Sequence, residues 1–350
     1  MKQDIKSRTT EQLQEEFSLL SLPRFRAGQV YAWLHQKGAR SFEEMTNLPK
    51  DLRAQLDGRY YINRLEVERR LVSKVDGTEK YLLRLGDGNC IEAVLMEYHH
   101  GNTLCISTQV GCRMGCKFCA STLGGLVRNL TASEMLDEVY TAERVSGRTV
   151  GGVVLMGIGE PLDNFDNVVA FMTILSSKEG RNLSLRHLSL STCGLVPEIE
   201  RLAQYHFPLT LSISLHAPQD VTRRQIMPIA NRYPLKELMA ACERYFAETG
   251  RRISFEYALI VGQNDTPAHA KELAKLLGGK NCHINLIPVN EVKERAARRP
   301  QKAAVEAFRA SLERAGLNAT VRRELGSDIA AACGQLRRES ARQTEQKEEL

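Results

Sequence analysis

The sequence has no run of about 18 apolar residues, the length that an apolar helix needs to cross a bilayer, so a membrane-spanning protein is excluded. Its first residues, MKQDIKSRTTEQLQEEF, lack the apolar core of a secretory signal, so we expect a cytoplasmic protein. It also lacks an internal repeat and a low-complexity tract, which excludes a repeat array. What remains is a globular chain.

The composition is ordinary for such a chain of 350 residues, with 43% hydrophobic and 26% charged residues. This length predicts two domains, or one barrel with an appendage. Nine cysteines in a chain without an export signal indicate a reducing compartment. Clustered cysteines are there more often metal ligands or catalysts than disulfides. The net charge of +6 permits a nucleic-acid partner but does not prove one.

The positive charge is concentrated near the C-terminus. Between Arg295 and Arg338 there are ten basic and four acidic residues, so this stretch carries the whole excess. Most of its basic residues are arginines, whose planar guanidinium suits phosphate. A solvated helix face is the alternative. Residues 336–350 are polar and predict a flexible charged tail.

The order of patterns predicts an α/β protein with three parts before this tail. Residues 1–60 predict a small helical domain, in which Thr9 and Gln12 fit a capping box. Residues 61–100 alternate apolar and polar positions and predict a linker of short strands, a β extension. Residues 101–335 alternate strands and helices in six units, which predicts a partial (βα)6 barrel with its chemistry at the carboxyl ends of the strands. The strand candidates are LCIST, GGVVLMG, HLSLST, LTLSISLH, RISFEYAL and CHINLIPV.

Three cysteines share one short loop directly after the first of these strands. Cys112, Cys116 and Cys119 have the spacing Cys-x3-Cys-x2-Cys. Three thiolates leave one iron of a four-iron cluster open, and an open iron can bind a small chelating ligand. The alternative is a structural zinc loop that a distant His or Cys completes.

This loop, with Phe118 before its last cysteine, resembles the cluster loop of radical S-adenosylmethionine (SAM) enzymes. Together with TLCISTQVGC, MGIGEPL, SLH and SDIAAACGQL, it resembles the RlmN/Cfr family of RNA adenosine methyltransferases along nearly the whole chain. The resemblance implies a 4Fe-4S cluster on the three cysteines, whose open iron binds SAM. It also implies cleavage of SAM to a 5′-deoxyadenosyl radical by one electron from a donor such as flavodoxin or ferredoxin, with two SAM consumed per turnover.

The same resemblance assigns three reacting side chains. Cys333 would carry the methyl group as S-methylcysteine, Cys105 would resolve the protein–RNA adduct through a transient disulfide, and Glu92 would be the general base. Such a relay suits carbon C2 or C8 of adenine, which is too electron-poor to attack a methyl donor directly. Taken alone, Cys333 or Cys105 would be interpreted as a buried apolar residue. We keep that interpretation for the four remaining cysteines: Cys90, Cys193, Cys242 and Cys282.

The cofactor would meet polar residues at the strand ends. By resemblance the SAM contacts are Gly159, Glu160, Ser191, Ser214, Leu215, His216 and Asn290. Glycine permits close approach of the backbone, and a carboxylate pairs with an ammonium group. Helix capping is the alternative for Ser191 and Asn290. Cys193 stands where the family has a small hydroxyl residue, and no role follows for it.

Within the family, Gly-Glu-Pro-Leu and Leu-Ile-Pro-Val-Asn resemble the housekeeping C2 branch more than the C8 branch that confers antibiotic resistance. The implied substrates are one adenosine of 23S rRNA and an adenosine in the tRNA anticodon loop. The N-terminal helices and four arginines, Arg298, Arg299, Arg322 and Arg323, would contact phosphates while the target base leaves its stack. We expect a monomer. The alternative from another class is a non-enzymatic iron–sulfur protein that binds RNA or transfers electrons.

Overall fold

The structure is a computed structural model that describes residues 2–329 and 331. Two sequence predictions, the methyl carrier Cys333 and the tail 336–350, lie outside the described residues. Within the described part of the chain, no helix is both long and apolar enough to cross a membrane.

The α-helices are α1 (Thr10–Leu19), α2 (Arg24–His35), α3 (Lys50–Arg59), α4 (Ala132–Ser146), α5 (Phe165–Ser176), α6 (Val196–Ala203), α7 (Asp220–Ile226), α8 (Leu235–Thr249), α9 (Pro267–Leu277) and α10 (Lys302–Arg314). The strands are β1 (Gln3–Asp4), β2 (Tyr60–Tyr61), β3 (Glu66–Val72), β4 (Glu79–Arg84), β5 (Cys90–Tyr98), β6 (Gly101–Cys105), β7 (Gln109–Gly111), β8 (Leu126–Asn129), β9 (Val150–Leu155), β10 (Leu188–Thr192), β11 (Thr210–Ser214), β12 (Ile253–Leu259), β13 (Cys282–Pro288) and β14 (Ala319–Val321).

One ten-stranded sheet organises the molecule, in the order β14-β13-β12-β11-β10-β9-β6-β5-β4-β3. Within this sheet, all neighbouring strands between β6 and β14 pair in parallel, as expected for strands that alternate with helices and are covered by them. All six predicted barrel strands are present in this parallel part, and the fold class is confirmed. The structure adds β14 as a further parallel strand.

The β extension is continuous with the barrel. Strands β3 to β6 form an antiparallel meander, and β6 pairs with β5 on one side and with β9 on the other. Residues on β5 therefore share a sheet with the barrel strands, which places their side chains beside the barrel opening.

A set of three hydrogen bonds, here the latch, joins the β3–β4 turn to the segment after β14. Asp328 accepts from the Ser73 hydroxyl at 2.6 Å and from the Lys74 amide at 2.9 Å. Asp76 accepts from the Gly326 amide at 2.8 Å. The latch fixes the start of the segment that leads to Cys333.

A buried polar cluster, here the clasp, attaches the N-terminal helices to α4. Lys6 forms an ion pair with Asp137 at 2.5 Å, with side chains 3% and 8% exposed. The second carboxylate oxygen of Asp137 accepts from the Leu65 amide at 2.5 Å, and Asp4 accepts from the Ser133 hydroxyl at 2.5 Å. The clasp joins residues before α1 and after β2 to the barrel.

Candidate active site

The cysteine loop is closed at its base by a short ladder. Strands β7 and β8 pair on either side of the loop, and the Cys112 amide donates to the Gly125 carbonyl at 2.8 Å. Gly111 has φ +82°, and a Cβ there would lie 2.0 Å from the Gly125 oxygen. Only glycine fits this crossing, so the loop geometry depends on it.

Arg295 binds the C-terminal end of the cysteine loop. Its guanidinium donates to the Cys119 carbonyl at 3.2 Å and to the Thr122 hydroxyl at 2.7 Å. The same hydroxyl donates to the carbonyls of Cys116 and Cys119, both at 3.1 Å. The sequence analysis counted this arginine among the residues suited to phosphate, but in the structure it binds one carbonyl and one hydroxyl of the chain itself.

All three loop cysteines line one cavity of about 260 Å³, here the inner cavity. Burial raises the pKa of Cys112 to about 12 and also raises that of Cys116, so both thiols favour the protonated form. Iron removes that preference, because a coordinating thiol is deprotonated. Three soft sulfur donors from one loop fit an iron–sulfur cluster. Among residues 2–329 and 331, no three His, Cys, Asp or Glu side chains are arranged to hold a single metal ion.

Gly159 and Glu160 line the inner cavity beyond the end of β9. Gly159 has φ +112°, and a Cβ there would lie 2.7 Å from the Gln109 side chain. The Glu160 carboxylate is buried and accepts from the amides of Cys193 at 2.7 Å and Leu162 at 3.1 Å. Burial raises the pKa of Glu160. A cationic partner would oppose that rise and favour the carboxylate.

The ends of β10 and β11 bring further predicted residues to the same cavity. The Ser191 and Ser214 hydroxyls lie 3.5 Å apart. His216 has φ +56°, accepts from the Ala258 amide at 2.9 Å through Nδ1, and packs its ring against Phe118 with centroids 5.0 Å apart. Burial lowers the pKa of His216 to about 3, so its imidazole is neutral at physiological pH.

The other two predicted SAM contacts are placed differently. Asn290 is exposed and lies where the inner cavity meets the next one. Leu215 is fully buried and is not among the residues that line the cavity. Its backbone amide donates to the Glu256 carbonyl at 3.0 Å, and its carbonyl accepts from Arg223 at 3.1 Å.

Sequence reasoning missed Glu256 on β12. It faces the inner cavity between Ser214 and Asn285 of the flanking strands, and the Asn285 side-chain amide donates to it at 2.7 Å. Burial raises its pKa. A glutamate in the otherwise apolar strand ISFEYAL was the signal that could have revealed it.

A second cavity of about 520 Å³, here the outer cavity, contains Glu92 and Cys105. The two residues lie on the adjacent strands β5 and β6, and Cys105 is opposite Val94. Alternate residues of a strand share a face, so Glu92 and Val94 point the same way. Glu92 forms a buried ion pair with Lys80 at 3.1 Å. Sequence reasoning also missed Lys80.

The Cys105 thiol lies in an apolar cluster with Val94, Met96 and Leu325. Burial raises its pKa to about 11, and the charge of Arg322 opposes that rise. Ala331, two positions before Cys333 in the sequence, belongs to the same cluster and lines the outer cavity. The two cavities share five lining residues: Met156, Gly157, Ile287, Asn290 and Arg322.

Three of the four arginines proposed for RNA, Arg299, Arg322 and Arg323, line the outer cavity, and Arg298 does not. Arg299 makes a two-bond ion pair with Glu324, at 3.1 and 2.8 Å. Arg298 is exposed. The outer cavity therefore carries three arginines together with three glutamates, Glu92, Glu291 and Glu324.

Comparison with known proteins gives a consistent result. A model of the radical SAM superfamily matches residues 106–277, and a model of the ribosomal RNA large subunit methyltransferase N-terminal domain matches residues 4–62. A protein of Lachnoclostridium phytofermentans, named probable dual-specificity RNA methyltransferase RlmN, is 56% identical over 96% of this chain and 94% of its own. One of the same name from Alkaliphilus oremlandii is 51% identical over 96% of this chain and 97% of its own. The crystal structure of a radical SAM methyltransferase from Sphaerobacter thermophilus is 44% identical, covers 95% of this chain and 98% of that chain, and has a TM-score of 0.89.

Proposed function

The chain belongs to the RlmN family of radical SAM RNA methyltransferases, and from this premise we propose that it methylates carbon C2 of adenosine in RNA. The proposed substrates are one adenosine of 23S rRNA and an adenosine of the tRNA anticodon loop. The relatives' name, dual-specificity RNA methyltransferase, supports two classes of RNA. Residues 1–60 would serve as an accessory RNA-binding domain.

The inner cavity is the proposed site of the cofactors. Family membership implies a 4Fe-4S cluster and SAM, and Cys112, Cys116 and Cys119 would hold the cluster with one iron left for SAM. Together the two groups would supply the one-electron chemistry that activates the methyl group, and an external flavodoxin or ferredoxin would deliver the electron. The Glu160 carboxylate is suited to the ammonium group of SAM, because Glu160 lines the cavity and a buried carboxylate favours a cationic partner.

One observation carries the proposal: Glu92 and Cys105 lie on neighbouring strands around an outer cavity that adjoins the cavity of the cluster cysteines. An adenine in the outer cavity would stand between the cofactor and these two side chains. Ala331, which stands two positions before Cys333 in the sequence, lines the same cavity.

The reacting residues would then act in sequence. Cys333 would take a methyl group from one SAM. After a hydrogen atom is transferred from this methyl group to the radical derived from a second SAM, the methyl carbon would bond to the adenine carbon. Glu92 would accept the proton displaced from the adenine carbon, and the one electron released would return to the cluster. The Cys105 thiolate would attack the Cys333 sulfur. An S–S bond forms as the bond from sulfur to carbon breaks, and the carbon keeps the electron pair and takes up a proton. The products are a methylated adenine and a disulfide that an external thiol reduces.

The test is chromatography of nucleosides from RNA incubated with reconstituted enzyme, SAM and a reductant. The expected product coelutes with 2-methyladenosine. Coelution with 8-methyladenosine would assign the chain to the C8 reaction instead, and formation of no 5′-deoxyadenosine would favour the non-enzymatic alternative.

A covalent adduct tests the two thiols separately. Cys105→Ala should accumulate protein–RNA adduct on a denaturing gel, because methyl transfer proceeds but resolution does not. Cys333→Ala should form no adduct and no product. Cys242→Ala is the matched control, since Cys242 is buried but lines neither cavity, and it should turn over without adduct. A Cys105→Ala enzyme that turns over normally would remove that thiol from the scheme.

A further inference from the structure

Arg223 is a buried cation whose hydrogen-bond partners are all backbone carbonyls. It lies on α7, is 0% exposed, and is the largest of the fully buried side chains. Its guanidinium donates to the carbonyls of Cys193 at 2.8 Å, Leu215 at 3.1 Å, Ser214 at 3.4 Å and Tyr233 at 3.5 Å. In the described part of the chain it forms no ion pair. Carbonyl dipoles compensate only part of a buried charge. The carboxylate of Asp220, on the same helix, acts on Arg223 through its charge but accepts its hydrogen bond from the Leu235 amide and forms no ion pair with the guanidinium. A second anion close to the guanidinium would therefore stabilise it.

The place where that anion would lie follows from the contacts of α7. The last residue of α7, Ile226, accepts a hydrogen bond from the amide of Lys117 at 2.9 Å, so the helix is bonded directly to the cysteine loop. Cys193, whose carbonyl binds Arg223, packs in one apolar cluster with Cys116. The guanidinium thus lies directly behind the cavity wall that the loop cysteines face.

We infer that Arg223 is the buried counter-charge of the iron–sulfur cluster and raises its reduction potential, an inference that rests on the proposed cluster at Cys112, Cys116 and Cys119. Thiolate ligands give such a cluster a net negative charge, and reduction adds one more negative charge. A fixed cation behind a low-dielectric wall stabilises the reduced form more than the oxidised form. Arginine suits this role because it stays protonated in proteins.

Arg223 also holds two backbone segments at the inner cavity in place. Its bonds to Cys193 and Ser214 fix the backbone just beyond β10 and at the end of β11, where the proposed SAM contacts Ser191 and Ser214 lie. Arg223 is therefore a positioning residue that does not itself touch the reacting atoms. A potential measurement separates its charge from this structural role.

The experiment is an anaerobic redox titration of the reconstituted full chain, followed by electron paramagnetic resonance of the reduced cluster. Arg223→Met should lower the equilibrium constant for one-electron reduction at least tenfold, which corresponds to a midpoint about 59 mV more negative. Arg223→Lys keeps the charge and should change that constant less than threefold. The matched control is Arg251→Met, because Arg251 donates to the Leu209 carbonyl just before β11, at the opposite end of the same strand.

The outcomes are distinguishable. A wild-type chain that assembles no reducible cluster overturns the proposed function itself. A reducible wild-type cluster whose potential is the same in Arg223→Met overturns only the inference. If Arg223→Met assembles no cluster, Arg223→Gln decides. Glutamine removes the charge, and its side-chain amide can still donate to a backbone carbonyl such as that of Cys193. The expected result is the same tenfold decrease, and an unchanged potential would refute the role.

Discussion

Replacing Asp137 with leucine should detach the N-terminal helices from the barrel, because it leaves the Lys6 ammonium buried without its anion. The side chains of Lys6 and Asp137, the ion pair of the clasp, are both less than a tenth exposed. Solvent therefore cannot compensate the lysine charge that is left without a partner. Removing one partner of a buried ion pair costs about 3–5 kcal/mol. At roughly 2 °C per kcal/mol for a chain of this size, the melting temperature should fall by about 6–10 °C.

The double variant Lys6→Met/Asp137→Leu separates the ion pair from its surroundings. It removes both charges, so the remaining cost is the Leu65 amide that has lost its acceptor, about 1–3 kcal/mol. The two single changes should therefore be strongly non-additive, with a coupling of at least about 3 kcal/mol. Asp166→Leu is the matched control, because Asp166 pairs with Arg201 at the surface, where such a pair contributes about 0–1 kcal/mol.

The assay is denaturant unfolding with two probes. Trp33 is the only tryptophan and lies on α2, so its fluorescence reports the N-terminal helices, while circular dichroism reports the whole chain. In Asp137→Leu the fluorescence transition should move to lower denaturant and precede the circular dichroism transition. Two results would refute the reasoning. In one, the losses of unfolding free energy in the two single variants add up to the loss in the double variant. In the other, Asp137→Leu loses no more unfolding free energy than the control Asp166→Leu.

Three further predictions concern single residues. Burial raises the pKa of Cys105 to about 11, so its alkylation rate, followed by peptide mass spectrometry, should rise roughly tenfold per pH unit between pH 7 and 10; a flat profile would contradict a buried thiol. Arg295→Met should lose cluster iron to a chelator several times faster than Arg298→Met, because Arg295 binds the cysteine loop; equal rates would show that the loop does not need it. Burial lowers the pKa of His35 to about 3, so below about pH 6.5 the unfolded chain binds a proton that the folded chain does not. On acidification His35 should cost about 1.4 kcal/mol of stability per pH unit, and His35→Gln should unfold in denaturant with a smaller dependence on pH.

The predictions that the structure confirms are those whose causes are local in the sequence. The capping box predicted at Thr9 is formed, since cap and partner are three residues apart. The six barrel strands were evident from apolar runs between helical segments. The cysteine loop was evident from the spacing alone, because its three cysteines lie on one short loop.

The features that sequence reasoning missed depend on contacts between distant segments. Lys80 meets Glu92 through strand pairing, and Arg295 reaches Thr122 across 173 positions. A run of arginines shows its charge but not its partners, so Arg295 could not be distinguished from Arg298. The roles of Glu92 and the other site residues came from family resemblance and remain predictions.

The ten-stranded sheet also has a consequence for the topology of the substrate. Among the described residues, no strand pairs with the outer edge of β14 or of β3, so the sheet does not close on itself. The outer cavity is lined by Glu92 and Cys105, which belong to the meander, and by residues 322–327, which follow β14. The latch spans the gap between these two edges at one place, where Gly326 and Asp328 bond to the β3–β4 turn. The part of the gap that the latch leaves open would admit a nucleotide sideways, with the RNA strand running on at both ends. The enzyme should thus have no need of a free RNA terminus, and a covalently closed circular RNA should be methylated as readily as its linear form.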